Sequence, residues 1–208
     1  MTFYEHEREE KKRVYDGPPP EMPEEDLSLR QYAWDYLLDR GLNPSLAIAN
    51  GWYPTNQGPH DSHPRIIIPC DNSQGRIYFQ CRAMDDAELR YDSPSAKRGD
   101  SLVVIRPRFP HNGAVIVEGP MDALAAGGVG LLGIGIMGNE PSTEVLEHVS
   151  RLVRVKRKVI IVPDLDHVEM GTYVLGYLGA CGIKAEVRMP LAKDLAAMKP
   201  SARRRFLK

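Results

Sequence analysis

The sequence predicts an α/β protein in which a small N-terminal α+β subdomain, made of helices and antiparallel strands, precedes a Rossmann-like parallel sheet. Three observations support this prediction. In the second half of the chain, apolar runs alternate with helical segments, which is the order that builds a parallel sheet covered by helices. The runs at 114–117 and 159–162 are continuous, as is typical of strands buried on both faces. The first half instead carries a hairpin pattern of short strands.

The first half predicts a tail, two helices and short strands. Residues 1–25 mix charged residues and prolines with little apolar bulk, so we expect a flexible or partner-ordered tail. Two apolar-faced segments then end at Gly41 and Gly51, and glycine commonly follows the last residue of a helix. The strings RIIIPC and GRIYFQCRAM flank a turn and predict an antiparallel hairpin, and SLVVIRP predicts another strand. We assign 26–112 to this subdomain.

The second half, residues 113–208, predicts a strand and helix alternation that forms a small doubly wound sheet. The predicted strands and helices, in chain order, are a strand at 114–118, a helix at 121–126, a strand at 131–137, a helix at 143–153, a strand at 159–162, a helix at 171–181 and a strand at 185–189.

Composition excludes several classes of protein. The 27 Lys and Arg residues nearly balance the 28 Asp and Glu residues, so any basic binding surface must be local. The cysteines Cys70, Cys81 and Cys181 are widely spaced, which argues against a structural zinc site and a disulfide framework. We therefore expect a reducing cytoplasm, with no zinc. No apolar stretch is long enough to span a bilayer, and the N-terminus is charged, so we expect neither a membrane segment nor a signal peptide.

Acidic residues stand where two predicted buried strands stop. Glu118 ends the strand in AVIVEGPMDAL, and Asp164 and Asp166 follow the strand in VIIVPDLD. The carboxyl ends of parallel strands meet at one edge, where ligands of open α/β sheets bind. Neighbouring strands lie about 4.8 Å apart, which is close to the roughly 4 Å separation of paired divalent metals. Oxygen ligands favour Mg²⁺ or Mn²⁺, so we predict such a site here, with phosphate chemistry as its use.

Each acidic motif also has an ordinary structural explanation. Asp122 in EGPMDAL lies in the first turn of a helix, where acids commonly cap amides. A D-x-D string is often a solvated loop, and both side chains face one site only if the chain turns after Pro163. Asp194, after the last strand, is either a further ligand at the same edge or a surface acid. The two motifs together on one sheet are far more specific than either alone.

The E-G-x-x-D string followed by D-x-D resembles the TOPRIM domain, which is shared by bacterial-type primases, topoisomerases and some nucleases. The N-terminal half is similar to the primase core in particular, through YLLDRGLNPSLAIANGWY, the hairpin RIIIPCDNSQGRIYFQCRAM and the segment LRYDSPSAKRGDSLV. The resemblance spans 27 to about 198. It departs from the family at Glu169, where the D-x-D-x-x-G pattern has glycine, and at Asp92, where an asparagine is usual.

The resemblance implies that Glu118, Asp164 and Asp166 hold divalent ions, with Asp122 and Asp194 as outer acids. Glu118 alternatively shuttles a proton. It also implies that basic residues of the first subdomain grip triphosphate and template, and Arg82 and Lys97, on matched motif positions, join the catalytic set. The full set of implied basic residues is Arg65, Arg76, Arg82, Arg90, Lys97 and Arg98.

Two further basic clusters, at 151–158 and 203–208, have two readings that the sequence leaves open. One reading is a solvated face with favourable charge at helix C-termini. The other is contact with a nucleic-acid backbone.

Three functions are consistent with the sequence. The first is a primase that makes short RNA primers on single-stranded DNA from ribonucleoside triphosphates with Mg²⁺ or Mn²⁺, for a phage or mobile element that supplies helicase and template recognition separately. The second is a TOPRIM nuclease, which has no need of a triphosphate-gripping hairpin. The third is a nucleic-acid-binding module that has lost catalysis. We expect the primase reading.

Overall fold

The computed structural model describes residues 20–75, 77–110 and 112–208, so most of the predicted tail lies outside the described residues. The first half folds into the two predicted helices and an antiparallel sheet of four strands in the order β1-β2-β3-β4. These elements are α1 (Arg30–Asp39), α2 (Pro44–Ala49), β1 (Tyr53–Thr55), β2 (Arg65–Pro69), β3 (Phe79–Ala83) and β4 (Tyr91–Asp92). The predicted hairpin is confirmed as β2 and β3.

Both predicted helix terminators behave as expected. Gly41 and Gly51 follow α1 and α2 with φ values of 63° and 79°, the left-handed conformation that glycine adopts without steric cost. At the start of α2, the Asn43 side chain accepts a hydrogen bond from the backbone N–H of Leu46. The local sequence therefore sets the limits of these helices.

The second half forms a five-stranded sheet in the order β5-β7-β6-β8-β9. Its strands run parallel except for β5, which pairs antiparallel with β7. The elements are β5 (Val103–Ile105), β6 (Gly113–Val117), α3 (Pro120–Gly127), β7 (Leu132–Gly135), α4 (Thr143–Val153), β8 (Lys158–Val162), α5 (Val168–Ala180), β9 (Glu186–Val187) and α6 (Pro200–Leu207). The predicted α/β class and the order of its elements are confirmed, with α6 as an additional helix.

The two halves are joined more closely than the sequence indicated. Strand β5 precedes the predicted boundary at 112, yet it pairs with β7 and belongs to the second sheet. One continuous hydrophobic core also runs from Ile66 and Ile68 of the first sheet to Val115 and Val117 of the second. The basic residues of the first half are therefore held against the second sheet by shared packing.

Helices cover both faces of the second sheet. Val115 and Val117 of β6 pack on the α3 side, whereas Ala114 and Ile116 face α4 and α5. This burial on two faces explains why the strand sequence does not alternate. Helix α3 is buried along its whole length. It lies so close to β7 that a Cβ atom on Gly133 would stand 2.0 Å from the backbone oxygen of Ala123.

Among the described residues, no helix has both the length and the apolar character needed to cross a bilayer.

Candidate active site

The register of two parallel strands brings the acidic motifs to one place. Strands β6 and β8 are neighbours, and Val117 pairs with Val162 at their carboxyl ends. Glu118 directly follows Val117, and Asp164 follows Val162 after Pro163, so both acidic residues leave the sheet at the same edge. The strand order therefore agrees with the prediction that the two motifs share one edge of the sheet.

Three side chains at this edge are close enough to share a metal ion. Glu118, Asp164 and His167 each offer one ligand atom, and these atoms lie within 4.8 Å of one another. The Nδ1 atom of His167 is 2.9 Å from Oε2 of Glu118 and 3.8 Å from Oδ1 of Asp166. His167 was not among the predicted site residues. Its position directly after the D-x-D string was the only signal in the sequence.

The two aspartates of the D-x-D string take different positions. After Pro163 the chain turns, with the N–H of His167 donating to the carbonyl of Asp164. Asp164 points into the cluster and is half-buried, whereas the side chain of Asp166 is 58% exposed and lies at its rim. Asp166 is therefore outside the group of three, and it lies three residues before Glu169, where the sequence departs from the TOPRIM pattern.

The charges around Asp164 repel its ionised form. Partial burial, followed by the negative charges of Glu118, Asp194 and Asp166, raises the pKa of Asp164 to about 6. A cation at this position would reverse the effect, because it would neutralise the same carboxylates.

The two predicted outer acids lie behind the cluster. Asp122 is buried in the first turn of α3, and its Oδ1 atom accepts a hydrogen bond of 2.7 Å from the N–H of Ala196. Burial, followed by the charges of Asp194 and Asp164, raises the pKa of Asp122 to about 7. Asp194 accepts from the N–H of Ala197 at 2.6 Å. Asp194 thus acts on Asp164 through its charge, and both acids hold the loop at Ala196 and Ala197.

That loop is fastened by a buried arginine that the sequence did not single out. Arg203 of α6 is 3% exposed, and its guanidinium donates to four backbone carbonyls, those of Gly41, Leu195, Ala196 and Met198. Neither reading of the 203–208 cluster applies to Arg203, because it is neither solvated nor accessible to a partner. In the sequence, the only signal for this position is the apolar Leu207, which lies one turn later on the same face of α6.

The predicted basic residues divide into accessible and internal ones. Lys97 and Arg90 are exposed. Arg82 is 5% exposed, donates to the Tyr36 hydroxyl at 2.7 Å and stacks over the ring of Tyr91. It still borders a cavity of about 580 Å³ together with Arg90 and Arg40. Arg76 lies outside the described residues.

Two more of the five described basic residues have structural partners. Arg65 is fully buried and donates to the Asp61 carboxylate and to the carbonyls of Cys81 and Leu89. The expectation that Arg65 grips triphosphate or template is therefore corrected, because its guanidinium is enclosed within the first subdomain. Arg98 does reach the edge, where it donates to the carbonyls of Ile136 and Met137.

The Arg98 contact supports Glu118 indirectly. Met137 has a φ of 56°, in the left-handed region that non-glycine residues rarely adopt. Its N–H donates to the carbonyl of Glu118 at 2.8 Å, and its own carbonyl accepts from Arg98. Arg98 thus holds the turn against which the Glu118 backbone is fixed.

Comparison with known proteins shows similarity at the level of structure. No family model matches the sequence, and no curated protein matches it. The zinc-binding and RNA polymerase domains of the Aquifex aeolicus primase match with a TM-score of 0.63 and 17% identity, over 85% of this chain and 55% of that one. This chain therefore spans about half of that protein fragment.

Two further solved structures have the same fold. The primase fragment of the bacteriophage T7 primase-helicase matches with a TM-score of 0.59 and 17% identity, over 96% of this chain and 82% of that one. A primase catalytic domain bound to single-stranded DNA matches with a TM-score of 0.57 and 16% identity, over 85% of this chain and 70% of that one. The fold is that of bacterial and phage primase catalytic cores.

Proposed function

We propose that this chain, which has the fold of bacterial and phage primase catalytic cores, is a nucleotidyltransferase that synthesises short RNA primers on single-stranded DNA. The observation that carries the proposal is the meeting of Glu118, Asp164 and His167 at the carboxyl edge of the second sheet. Acidic groups at this edge, in this fold, are suited to phosphoryl transfer with divalent ions.

The donor atoms of the cluster fit a divalent ion. Carboxylate oxygens are the ligands that Mg²⁺ and Mn²⁺ prefer, and the imidazole nitrogen of His167 favours Mn²⁺ over Mg²⁺. We assign Glu118 and Asp164 as the main ligands, with Asp166 joining from the rim. Such ions supply charge neutralisation on the reacting phosphate and activation of the attacking 3′-hydroxyl.

Two basic regions are available for the nucleotide and the template. Lys97 is exposed and adjoins Arg98, whose contacts reach the acidic edge, so we assign Lys97 to the triphosphate. One cavity is lined by the cations of Arg40, Arg82 and Arg90, by Tyr36, and by the carboxylates of Asp85 and Asp86. Its three cations outnumber its two acids, and we assign it to an anionic backbone with a neighbouring base. The first subdomain thereby supplies cations next to an acidic site.

The partners of similar proteins guide the remaining assignments. One similar structure is a fragment of a primase-helicase, and another holds single-stranded DNA. For this chain we accordingly propose a single-stranded DNA template, ribonucleoside triphosphates as substrates and a helicase or template-recognition protein as partner. The proposed site of action is the cytoplasm, that of the host if a phage encodes the chain.

One observation favours a second candidate, a binding module without catalysis. Asp166 stands outside the ligand group, and Glu169 occupies the position where the family pattern has glycine. A site that lacked its third carboxylate would retain the nucleic-acid surface while losing the ion that chemistry requires.

The test is incorporation of labelled ribonucleotides on single-stranded DNA with Mg²⁺ or Mn²⁺. Glu118→Gln and Asp164→Asn should each lower primer synthesis by about 100-fold or more, because each removes a ligand charge while preserving shape. Glu169→Gln is the matched control, since this exposed acid lies in the first turn of α5 outside the cluster, and should retain activity. DNA binding without synthesis in the wild type would support the binding module, and cleavage without synthesis would indicate a nuclease.

A further inference from the structure

The end of the second sheet opposite Glu118 collects an unusual set of segments. Gly113 and Lys158 pair there, at the amino ends of β6 and β8. Strand β5 runs antiparallel, so it also finishes at this end. We call this surface the basic pole, and it consists of the described residues 106–110, 112, 127–131, 154–158, 181–185 and 203–208.

The basic pole segregates charge. Apart from the buried Arg203, these segments hold ten Lys and Arg residues and no Asp or Glu, although the whole chain has 27 basic and 28 acidic residues. One of the ten, Arg106, is ion-paired with Asp71, which leaves nine cations. The acidic groups described above lie at the other end of the sheet. A helix C-terminus accounts for one or two cations at the end of α4, but not for charges of one sign in four separate segments.

Hydrogen bonds join the basic segments into one surface. The ammonium group of Lys158 donates to the carbonyl of Leu207 at 3.1 Å. The N–H of Arg157 donates to the side-chain oxygen of Asn112 at 3.3 Å. Between these segments lies a cavity of about 530 Å³, lined by Val129, Leu131, Lys158, Arg204, Leu207 and Lys208. The pole therefore combines cations with an apolar recess.

Exposed apolar groups lie among these cations. The side chain of Phe109 is 77% exposed, and the guanidinium of Arg108 stands 5.5 Å from its ring centroid. Val155, between Arg154 and Lys156, is 78% exposed. A ring presented to solvent beside arginines is the arrangement on which unpaired bases stack while cations follow the backbone.

We propose that the basic pole binds single-stranded nucleic acid at a site separate from the acidic edge. The length of the five-residue strand β6, about 3.3 Å per residue, keeps the two sites about 16 Å or more apart. Phe109 favours an unpaired strand over a duplex, because a duplex has no free base face to stack on it. The pole holds nucleic acid without taking part in chemistry.

The first test measures the electrostatic part of binding. Fluorescence anisotropy with a labelled oligothymidine of about twenty nucleotides, in EDTA, removes any contribution from metal at the acidic edge. Arg154→Glu with Arg157→Glu should weaken binding about tenfold and make the salt dependence shallower by about 1.4 in log–log slope, as expected when two phosphate contacts are lost. Arg30→Glu with Lys199→Glu, two exposed cations elsewhere, changes the net charge equally and should have little effect.

The second test isolates stacking. Phe109→Ala should weaken oligothymidine binding about tenfold without changing its salt slope, whereas an abasic oligonucleotide should bind wild type and variant alike. Tyr173→Ala, which removes another exposed ring, is the matched control. Circular dichroism should show that all variants keep the wild-type fold.

Three results would overturn the inference. The first is that the two double variants weaken oligothymidine binding equally. The second is that Phe109→Ala binds oligothymidine as the wild type does. The third is that polyglutamate binds more tightly than oligothymidine, which would assign the pole to an acidic protein. None of these readouts depends on nucleotide incorporation, so the pole and the proposed catalysis fail or succeed independently.

Discussion

The imidazole Nδ1 of His167 lies 2.9 Å from the Glu118 carboxylate, so the cluster contains its own cation when the imidazole is protonated. Desolvation by itself would lower the pKa of His167. The pKa is nevertheless raised, by the charge of Glu118, by the hydrogen bond to Glu118 and by the charges of Asp166 and Asp164. A divalent ion must therefore displace a proton from His167 as well as from Asp164.

This relationship predicts how metal affinity depends on pH. Because the pKa of Asp164 is raised to about 6 and that of His167 is raised too, the apparent Mn²⁺ affinity of the wild type should rise from pH 5 to pH 8. In His167→Asn, the rise should be shallower above the pKa of Asp164, about 6, since only the carboxyl proton remains to be displaced. Calorimetric titration in buffers of different ionisation enthalpy measures both the affinity and the protons released. Identical proton release in wild type and variant would refute the competition.

Lys97 and Arg98 are adjacent in sequence, yet the structure predicts different defects. Lys97→Ala removes an exposed cation, so it should raise the KM for ribonucleotides about tenfold and leave thermal stability nearly unchanged. Arg98→Ala removes two bonds to the turn at Ile136 and Met137, so it should lower kcat and the melting temperature with a smaller change in KM. Steady-state kinetics with thermal melts distinguish the two outcomes. A pure KM defect in Arg98→Ala would contradict its positioning role.

Asp122 should make the metal-free protein less stable as pH rises. Its pKa is raised to about 7 in the folded state from an ordinary value near 3.9, so the unfolded chain loses this proton first. Stability should therefore be fully present below about pH 4, fall as pH rises towards 7 and level off above it. Asp122→Asn keeps the acceptor for Ala196 and should be roughly 4 kcal/mol more stable than the wild type at pH 8, with little difference at pH 4.

Urea denaturation in EDTA at the two pH values measures this difference. Asp35→Asn is the control, because Asp35 is an exposed acid of α1 far from the cluster in sequence. Equal stabilisation by both substitutions would show that total charge, rather than the buried position of Asp122, is responsible.

Arg203 and Arg204 provide a matched pair for stability. Arg203→Met leaves four backbone carbonyls without their donor, which should cost about 3 kcal/mol or more in the free energy of unfolding. Arg204→Met changes an exposed side chain one residue later and should stay within about 0.5 kcal/mol of the wild type. Urea denaturation compares the two, and similar losses would contradict the structural role of Arg203.

The sequence was sufficient to predict the elements of the fold because their signals are local. Glycines at 41 and 51 end their helices through backbone freedom, and β6 and β8 are recognisable because strands buried on both faces need apolar side chains at every position. A strand end is also a local feature, so the sequence alone predicts that Glu118 and Asp164 lie at one edge of the sheet.

Only the tertiary structure decided which side chains do what at that edge. The sequence does not distinguish the roles of its basic residues, but neighbours from distant parts of the chain do. Arg65 is enclosed, and Arg82 stacks on Tyr91. Arg98 donates to the Met137 carbonyl, and Lys97 stays exposed. His167 reaches Glu118, and β5 joins the second sheet, through contacts between segments far apart in the chain. Side-chain burial and strand pairing depend on packing across the whole molecule, so no local sequence pattern predicts them.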